Sequence, residues 1–197
     1  MSRLLITTAL MAEAIPIVDF YRMEKQLKQQ HYHLYRTSCD AGLAIDLVVC
    51  GMGAKKMKQG FESYLATDSI SQPHNWLNFG IAGALSLPIG KLIWANNIAQ
   101  TSIAVPQGIE NDSPITVQSV NKPCADYRPG VLFDMEAQTW LQCIRENAIQ
   151  FAPEHLFCAK VVSDNSSQYA HKIDKHWVSQ AVRNSINELN KNIINII

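Results

Sequence analysis

The feature that most constrains this chain is an apolar run over residues 76 to 85 that is interrupted by two glycines, three residues apart. The run is short and carries aromatic side chains at Trp76 and Phe79, which predicts a buried strand. Gly80 and Gly83 predict that the strand stops at a turn, where the main chain accepts close neighbours that a Cβ would exclude. Open α/β sheets bind small molecules at such carboxyl ends. A tight turn without a ligand is the alternative interpretation.

Apolar strands alternate with helical patterns along the rest of the chain. We predict an α/β fold with a mixed, largely parallel sheet, formed by residues 1–197 as a single domain. The asparagine-rich end, residues 184–197, is predicted to fray or to pack on a partner. The predicted strands cover 3–9, 43–50, 76–80, 90–95, 115–120, 131–133 and 156–162, with an edge strand at 32–37, and the predicted helices cover 13–30, 54–67, 134–147 and 172–197.

Composition excludes several classes of function. Lys plus Arg equals Asp plus Glu at 17 each, and no basic stripe stands out, which argues against a nucleic-acid partner. No apolar run approaches the length of a membrane span. The five cysteines are dispersed without C-x-x-C spacing, which favours reduced thiols in a cytoplasm. We expect neither a metal site nor a cofactor.

Three carboxylates follow predicted strands. Glu13 comes after the first strand, Glu136 after the strand at 131–133, and Asp164 after the strand at 156–162. Each has an ordinary structural explanation as a first-turn acid or a helix cap. If the strands are parallel, however, their carboxyl ends share one edge of the sheet and the three side chains converge near Gly80.

Five segments resemble, in their order and spacing, the superfamily of purine nucleoside phosphorylases and methylthioadenosine/S-adenosylhomocysteine nucleosidases. They are Leu5 to Ala14, Val49 to Gly53, Asn78 to Leu85, Phe133 to Ala137 and Val161 to Asp164. The resemblance implies a three-layer α/β/α sandwich around a mixed, barrel-like sheet. It also implies cleavage of the N-glycosidic bond of a purine nucleoside and assembly into a homodimer or larger oligomer.

The resemblance also assigns roles to individual residues. Glycosidic cleavage passes through an oxocarbenium-like state, and Asp164 matches the acid that protonates the leaving base. Glu136 matches the group that holds the ribose hydroxyls, since a carboxylate can accept two O–H bonds. Met135 is expected to pack on the sugar. Glu13 matches the residue that activates water in the hydrolytic branch.

The remaining substrate contacts are expected from two places. The residues of the glycine turn, Gly80, Ile81 and Ala82, are expected to bind the substrate, and Phe133 or Tyr127 is expected to stack on the base. The stretch over residues 98–130 is shorter than its counterpart in the resembled family, which leaves the base-stacking residue open between these two aromatics.

The nucleophile is predicted from two departures. Phosphorolytic members of the resembled family carry an Arg and a hydroxyl residue where this chain has Asn78 and Ile81. Without a cation a phosphate dianion is poorly compensated, so water is the predicted nucleophile. Two alternatives remain open: a phosphorylase that borrows phosphate ligands from a neighbouring subunit, and a catalytically weak member that binds a nucleoside.

Overall fold

The computed structural model describes residues 3–28, 30–37, 44–67, 74–122, 126–147, 152–166 and 173–196. Within those ranges it contains eleven strands, four α-helices and one short 3-10 helix at Pro153–His155. The strands are β1 Arg3–Thr8, β2 Glu24–Lys28, β3 His33–Arg36, β4 Ala44–Val49, β5 His74–Ala84, β6 Leu92–Trp94, β7 Asn97–Ile98, β8 Thr101–Ser102, β9 Thr116–Ser119, β10 Val131–Asp134 and β11 Leu156–Asp164. The helices are α1 Met11–Tyr21, α2 Ala54–Thr67, α3 Ala137–Asn147 and α4 Lys175–Ile194.

Strand β5 is the centre of one mixed sheet. It pairs in parallel with β1 on one side and with β11 on the other, and its last residues pair with β10 in the antiparallel sense. The strand order along the main path is β2-β3-β4-β1-β5-β10-β9-β7-β8, and β11 additionally pairs with β6. Because β5 changes neighbours along its length, three chain segments meet at its carboxyl end.

Helices cover both faces of the sheet. In β1, Leu4 and Ile6 belong to one hydrophobic core and Leu5 to the other, as the two-residue period of a strand requires. Helices α1 and α4 pack together over the first core, and α2 and α3 over the second. The predicted sandwich of three layers around a mixed sheet is confirmed. None of the described helices has the length and apolar character needed to cross a membrane.

The predicted turn at the glycines is wrong. Strand β5 continues through Gly80 and Gly83 to Ala84, and both glycines pair with residues of β11. Their function is close approach, because a Cβ on Gly80 would lie 2.8 Å from Glu13 Oε1 and one on Gly83 would lie 2.8 Å from Asp164 Oδ2. The glycines therefore leave room for two acidic side chains beside the strand.

The predicted long helix over residues 13–30 is also wrong. Helix α1 ends at Tyr21, because Arg22 takes a left-handed conformation with φ of 50°, and the chain continues as edge strand β2. Pro16, expected in the first turn, lies inside the helix.

The carboxyl-terminal segment packs on its own chain. Helix α4 continues to Ile194, with Leu189 and Ile193 buried in the core it shares with α1. The Tyr21 hydroxyl donates a hydrogen bond of 2.9 Å to Asn190 Oδ1. The prediction of a frayed end is therefore wrong for residues 184–194, whereas packing on a partner stays a prediction.

The described cysteines Cys50, Cys143 and Cys158 are buried free thiols. Cys39, Cys124 and the start of the helix predicted at residue 172 lie outside the described residues.

Candidate active site

One cavity of about 390 Å³ collects most of the predicted site residues. It lies at the carboxyl ends of β1, β5 and β11 and at the connection from β10 to α3. Gly80 is the exception, since it lies behind Glu13 rather than on the cavity wall. The predicted residues that line the cavity are Glu13, Ile81, Ala82, Tyr127, Phe133, Met135, Glu136 and Asp164.

The position of Glu136 in this cavity results from an antiparallel strand, which the sequence argument did not predict. Strand β10 runs antiparallel to β5, with Leu132 opposite Ala84 and Phe133 opposite Gly83. The chain after β10 therefore runs back along β5 towards Gly80, rather than leaving from a shared carboxyl edge. The predicted convergence of the carboxylates is correct, but the predicted reason for it holds only for Glu13 and Asp164.

Glu13 is held by three backbone amides. Its Oε2 accepts hydrogen bonds from Ala9 N (3.0 Å) and Leu10 N (2.8 Å), and its Oε1 accepts one from Ile81 N (3.0 Å). The structural role as a first-turn acid is thus present, because Leu10 precedes helix α1. The bond to Ile81 additionally ties the carboxylate to β5. Burial raises the pKa of Glu13 above its ordinary value, although the amides and Lys160 oppose the shift.

Glu136 is fixed by the turn before α2. Its Oε1 accepts a hydrogen bond of 2.6 Å from the amide of Gly53. Burial raises the pKa of Glu136 to about 7, and the nearby charge of Asp134 contributes in the same direction. The charge of Glu136 therefore changes near neutral pH.

Asp164 accepts hydrogen bonds from two hydroxyl groups. The Tyr127 hydroxyl donates to Asp164 Oδ2, and the Ser163 hydroxyl donates to Asp164 Oδ1. Gly83 leaves the space for this arrangement, since a Cβ there would lie 2.7 Å from the Tyr127 ring. Asp164 is thus oriented by side chains on both of its oxygens and remains on the cavity wall.

The two aromatic candidates for base stacking lie together. The rings of Tyr127 and Phe133 are 6.1 Å apart between centroids and meet edge to face. Both line the cavity on the side of Asp164. This side of the cavity therefore combines apolar ring surface with an acidic group.

A buried lysine was missed by the sequence argument. Lys160 lies in β11 and is 2% exposed. Its Nζ is 2.8 Å from Asp134 Oδ2 and 2.7 Å from Asn78 Oδ1. Burial disfavours the ammonium, but the charge of Asp134 raises the pKa of Lys160 above its ordinary value. A lysine within an otherwise apolar strand was the available indication, because lysine is almost never buried without a partner.

Asn78 does not face the cavity. The side chain is 1% exposed and contacts Lys160 and Cys158. Ile81 does line the cavity, and its backbone amide is the one that donates to Glu13. The two positions compared with the phosphate site of phosphorylases therefore have different environments, one internal and one at the cavity.

Among the described residues, no group of three or more His, Cys, Asp or Glu side chains has an arrangement that could hold a metal ion. The acidic side chains that line the cavity are Glu13, Asp134, Glu136, Asp164 and Asp174, accompanied by one basic side chain, Lys175. Carboxylates in such a cavity are suited to accepting hydroxyl protons, activating water and stabilising a developing positive charge.

Comparison with protein-family models finds no match, and comparison with curated proteins finds none either. Solved structures do match over the full length. The 5′-methylthioadenosine/S-adenosylhomocysteine nucleosidase from Helicobacter pylori, solved with butyl-thio-DADMe-Immucillin-A, has a TM-score of 0.70 and 13% identity, covering 98% of both chains.

Two further structures agree with this match. Futalosine hydrolase of Helicobacter pylori gives a TM-score of 0.70 at 13% identity, covering 98% of this chain and 97% of the other. The methylthioadenosine/S-adenosylhomocysteine nucleosidase of Campylobacter jejuni gives 0.68 at 15% identity, covering 98% and 99%. At these identities the likeness concerns the fold alone, and the chain therefore has the fold of these methylthioadenosine/S-adenosylhomocysteine nucleosidases.

Proposed function

We propose that this protein is a nucleosidase that hydrolyses the N-glycosidic bond of an adenosine-type purine nucleoside. The observation that carries the proposal is the convergence of Glu13, Glu136 and Asp164 in one cavity. Each carboxylate has its own set of hydrogen-bond donors, so the three are fixed separately and can act in separate roles. The neighbours of the same fold include nucleosidases and a hydrolase, which supports this choice of reaction.

Glu136 binds the sugar in this proposal. Its Oε1 is occupied in part by the Gly53 amide, and the remaining lone pairs accept the ribose hydroxyls. As the glycosidic bond breaks, positive charge develops on the sugar. The acidic lining of the cavity stabilises that charge more than it stabilises the neutral ground state, which is the condition for an effect on rate.

Glu13 activates the water molecule. Burial raises the pKa of its carboxyl group, so the carboxylate is a stronger base than an exposed glutamate. The three backbone amides prevent it from turning away, and Oε1, which accepts the Ile81 amide with one lone pair, offers the other to water. Water attacks carbon 1′ and transfers a proton to Glu13 as the base departs.

Asp164 assists the departing base. The Tyr127 and Ser163 hydroxyls orient its carboxyl group towards the aromatic side of the cavity. A purine leaves readily once its ring nitrogen is protonated, and general acid help of this kind contributes about 10²- to 10⁴-fold. Tyr127 and Phe133 supply the apolar surface against which the base lies, and Met135 packs on the sugar.

The test is a panel of purine and pyrimidine nucleosides incubated with the protein, with and without inorganic phosphate, while released base is measured. We expect base release from adenosine-type nucleosides without phosphate, with free ribose as the sugar product. A strict requirement for phosphate with ribose 1-phosphate as product would instead identify a phosphorylase. Tight nucleoside binding without release would identify a binding protein of the same fold.

We further propose a cytoplasmic location, a single domain over residues 1–197, and assembly into a homodimer or larger oligomer, without a nucleic-acid partner. The dispersed cysteines support the cytoplasmic location. The balanced charge supports the absence of a nucleic-acid partner. Light scattering after gel filtration tests the oligomeric state, and a monomer at micromolar concentration would contradict it.

A further inference from the structure

A second cavity of about 590 Å³ lies beside the proposed active site. The two cavities share four lining residues, Ala9, Leu10, Met52 and Lys175, so they adjoin along one wall. The second cavity extends from there over the segment that leads into β3 and over the first turn of α2. The proposed mechanism uses none of the residues that are unique to this cavity.

The lining of the second cavity is basic. His31, His33, Lys56 and Lys175 line it, and no Asp or Glu is found among its described lining residues. Over the whole chain, Lys plus Arg equals Asp plus Glu at 17 each, so this segregation of charge is a local property. The neighbouring active-site cavity has the opposite character, because acidic side chains predominate there.

Two helix ends add to the positive potential. Lys56 is the third residue of α2, and Lys175 is the first residue of α4. The amino-terminal turn of a helix carries a partial positive charge from its unpaired amides. Both lysines therefore stand where an anion is favoured by the side chain and by the helix that carries it.

The position of the second cavity relative to the sugar follows from the hydrogen bonds of Asp164 and Glu136 in the active-site cavity. Asp164 and Tyr127 mark the side where the base lies, whereas Glu136 is tied to Gly53, next to Met52 on the shared wall. Carbons 1′ and 4′ of a ribose flank the ring oxygen, so the base and the 5′ substituent leave the ring in different directions. With the base at Asp164, the 5′ substituent points to the shared wall.

We propose that the second cavity binds the 5′ substituent of the nucleoside and that this substituent carries an anionic group, a carboxylate or a phosphate. The inference rests on the proposed function for the placement of the sugar, and it deepens that function by naming the substrate class. Lys56 and Lys175 pair with the anion, while Leu10 and Met52, which line both cavities, contact the apolar part of the substituent. An uncharged 5′ substituent of equal length makes the same apolar contacts but lacks the ion pairs with the two lysines.

The test compares substrates that differ only in charge. An adenosine with a 5′-carboxyalkylthio group is compared with the corresponding carboxamide, and adenosine 5′-monophosphate provides the phosphate arm. We expect kcat/KM for the carboxylate to exceed that for the carboxamide by about tenfold, with the ratio falling as salt is added. If kcat/KM for adenosine 5′-monophosphate exceeds that for the carboxylate substrate, the anionic group is a phosphate and the substrate is a nucleotide. The reverse order would identify a carboxylate.

Variants separate the cavity from the general charge of the protein. Lys56→Gln is expected to lower the ratio of carboxylate to carboxamide about fivefold, the effect of one charge about 4 Å from the anion in water. Lys55→Gln is the matched control, since Lys55 is exposed on the same helix and is not among the residues that line either cavity. We expect the control to leave the ratio unchanged.

The outcomes distinguish this inference from the proposed function. Equal kcat/KM values for the carboxylate and the carboxamide, or equal effects of the two lysine variants, would overturn the basic subsite while leaving the nucleosidase intact. If no nucleoside is cleaved, the proposed function fails, and calorimetric binding of the same pair then decides the subsite. Tighter binding of the carboxylate would support it, and equal binding or no binding would overturn it.

Discussion

Glu136→Gln tests both the burial of this carboxylate and its role in the reaction. The glutamine keeps an oxygen that can accept the hydrogen bond from the Gly53 amide, while it removes the charge. Burial, with the nearby charge of Asp134, raises the pKa of Glu136 from 4.5 to about 7. At 1.36 kcal/mol per unit this shift corresponds to about 3 kcal/mol. That value is the upper limit by which ionised Glu136 lowers the free energy of unfolding above pH 7.

The sign follows from proton binding. Between pH 4.5 and about 7, folded Glu136 retains a proton that the unfolded chain has released, so this residue makes the free energy of unfolding fall as pH rises. The glutamine variant lacks that contribution. We expect the free energy of unfolding of the variant to exceed that of the natural chain by about 1–3 kcal/mol at pH 8. This difference corresponds to an increase of roughly 2–10 °C in Tm for a chain of this size. At pH 5 the difference is expected to be smaller by about 1–2 kcal/mol.

The assay is urea unfolding at pH 5 and pH 8, with kcat/KM measured on the same samples. Removing the charge weakens the bonds to the ribose hydroxyls, each of which contributes about 1.5–3 kcal/mol when one partner is ionised, so activity is expected to fall about 10- to 100-fold. Glu110→Gln, at an exposed glutamate, is the control. A stability difference that is equal at both pH values, or an unchanged kcat/KM, would refute the reasoning.

Three further substitutions have distinct expected results. Asp164→Asn is expected to lower kcat about 10²- to 10⁴-fold, with less effect on nucleosides whose base is already a good leaving group; equal damage to all substrates would assign a structural role. Lys160→Met leaves Asp134 buried without its cation and is expected to lower the free energy of unfolding by about 3–5 kcal/mol, measured by urea unfolding, and adding Asp134→Asn is expected to restore part of it. Gly80→Ala places a Cβ 2.8 Å from Glu13 Oε1, so we expect lost turnover with the circular dichroism spectrum retained, and full activity would contradict that contact.

The layers of the fold and most strand positions could be predicted from the sequence, because the strands at the centre of the sheet are rich in apolar residues. Strands β1, β4 and β11 are buried on both faces, and their sequences are nearly continuous apolar runs. The break at Arg22 could not be predicted in the same way. A left-handed residue other than glycine ends α1 there, where the amides of Arg22 and Met23 donate to carbonyls of the last helical turn, and this conformation is uncommon without glycine.

The candidate carboxylates were also accessible from the sequence, because acidic residues directly after apolar strands are few. Their partners were not. Tyr127 is 37 residues from Asp164 along the chain, and Gly53 is 83 residues from Glu136. Only the packing of β10 against the end of β5 brings these pairs together, and no local pattern in a single sequence records that register.

The choice between water and phosphate depends on the charges around the two positions that were compared with the phosphate site, Asn78 and Ile81. Asn78 was compared with a phosphate ligand, but its side-chain oxygen accepts a hydrogen bond from Lys160 inside the protein. Lys160 is in turn paired with Asp134, so its charge is already compensated. The Ile81 amide, a group of the kind that binds phosphate oxygens, instead donates to Glu13.

A phosphate dianion in this position would therefore face the Glu13 carboxylate without a free amide or an uncompensated cation from these residues. Repulsion between like charges at close range disfavours the phosphate dianion. A neutral water molecule is not repelled by the carboxylate and can give its proton to Glu13. In the proposed reaction, the acidic lining that opposes phosphate also stabilises the positive charge that develops on the sugar. The same electrostatic property of the cavity would then select water as the nucleophile and lower the barrier, so the proposal favours hydrolysis over phosphorolysis.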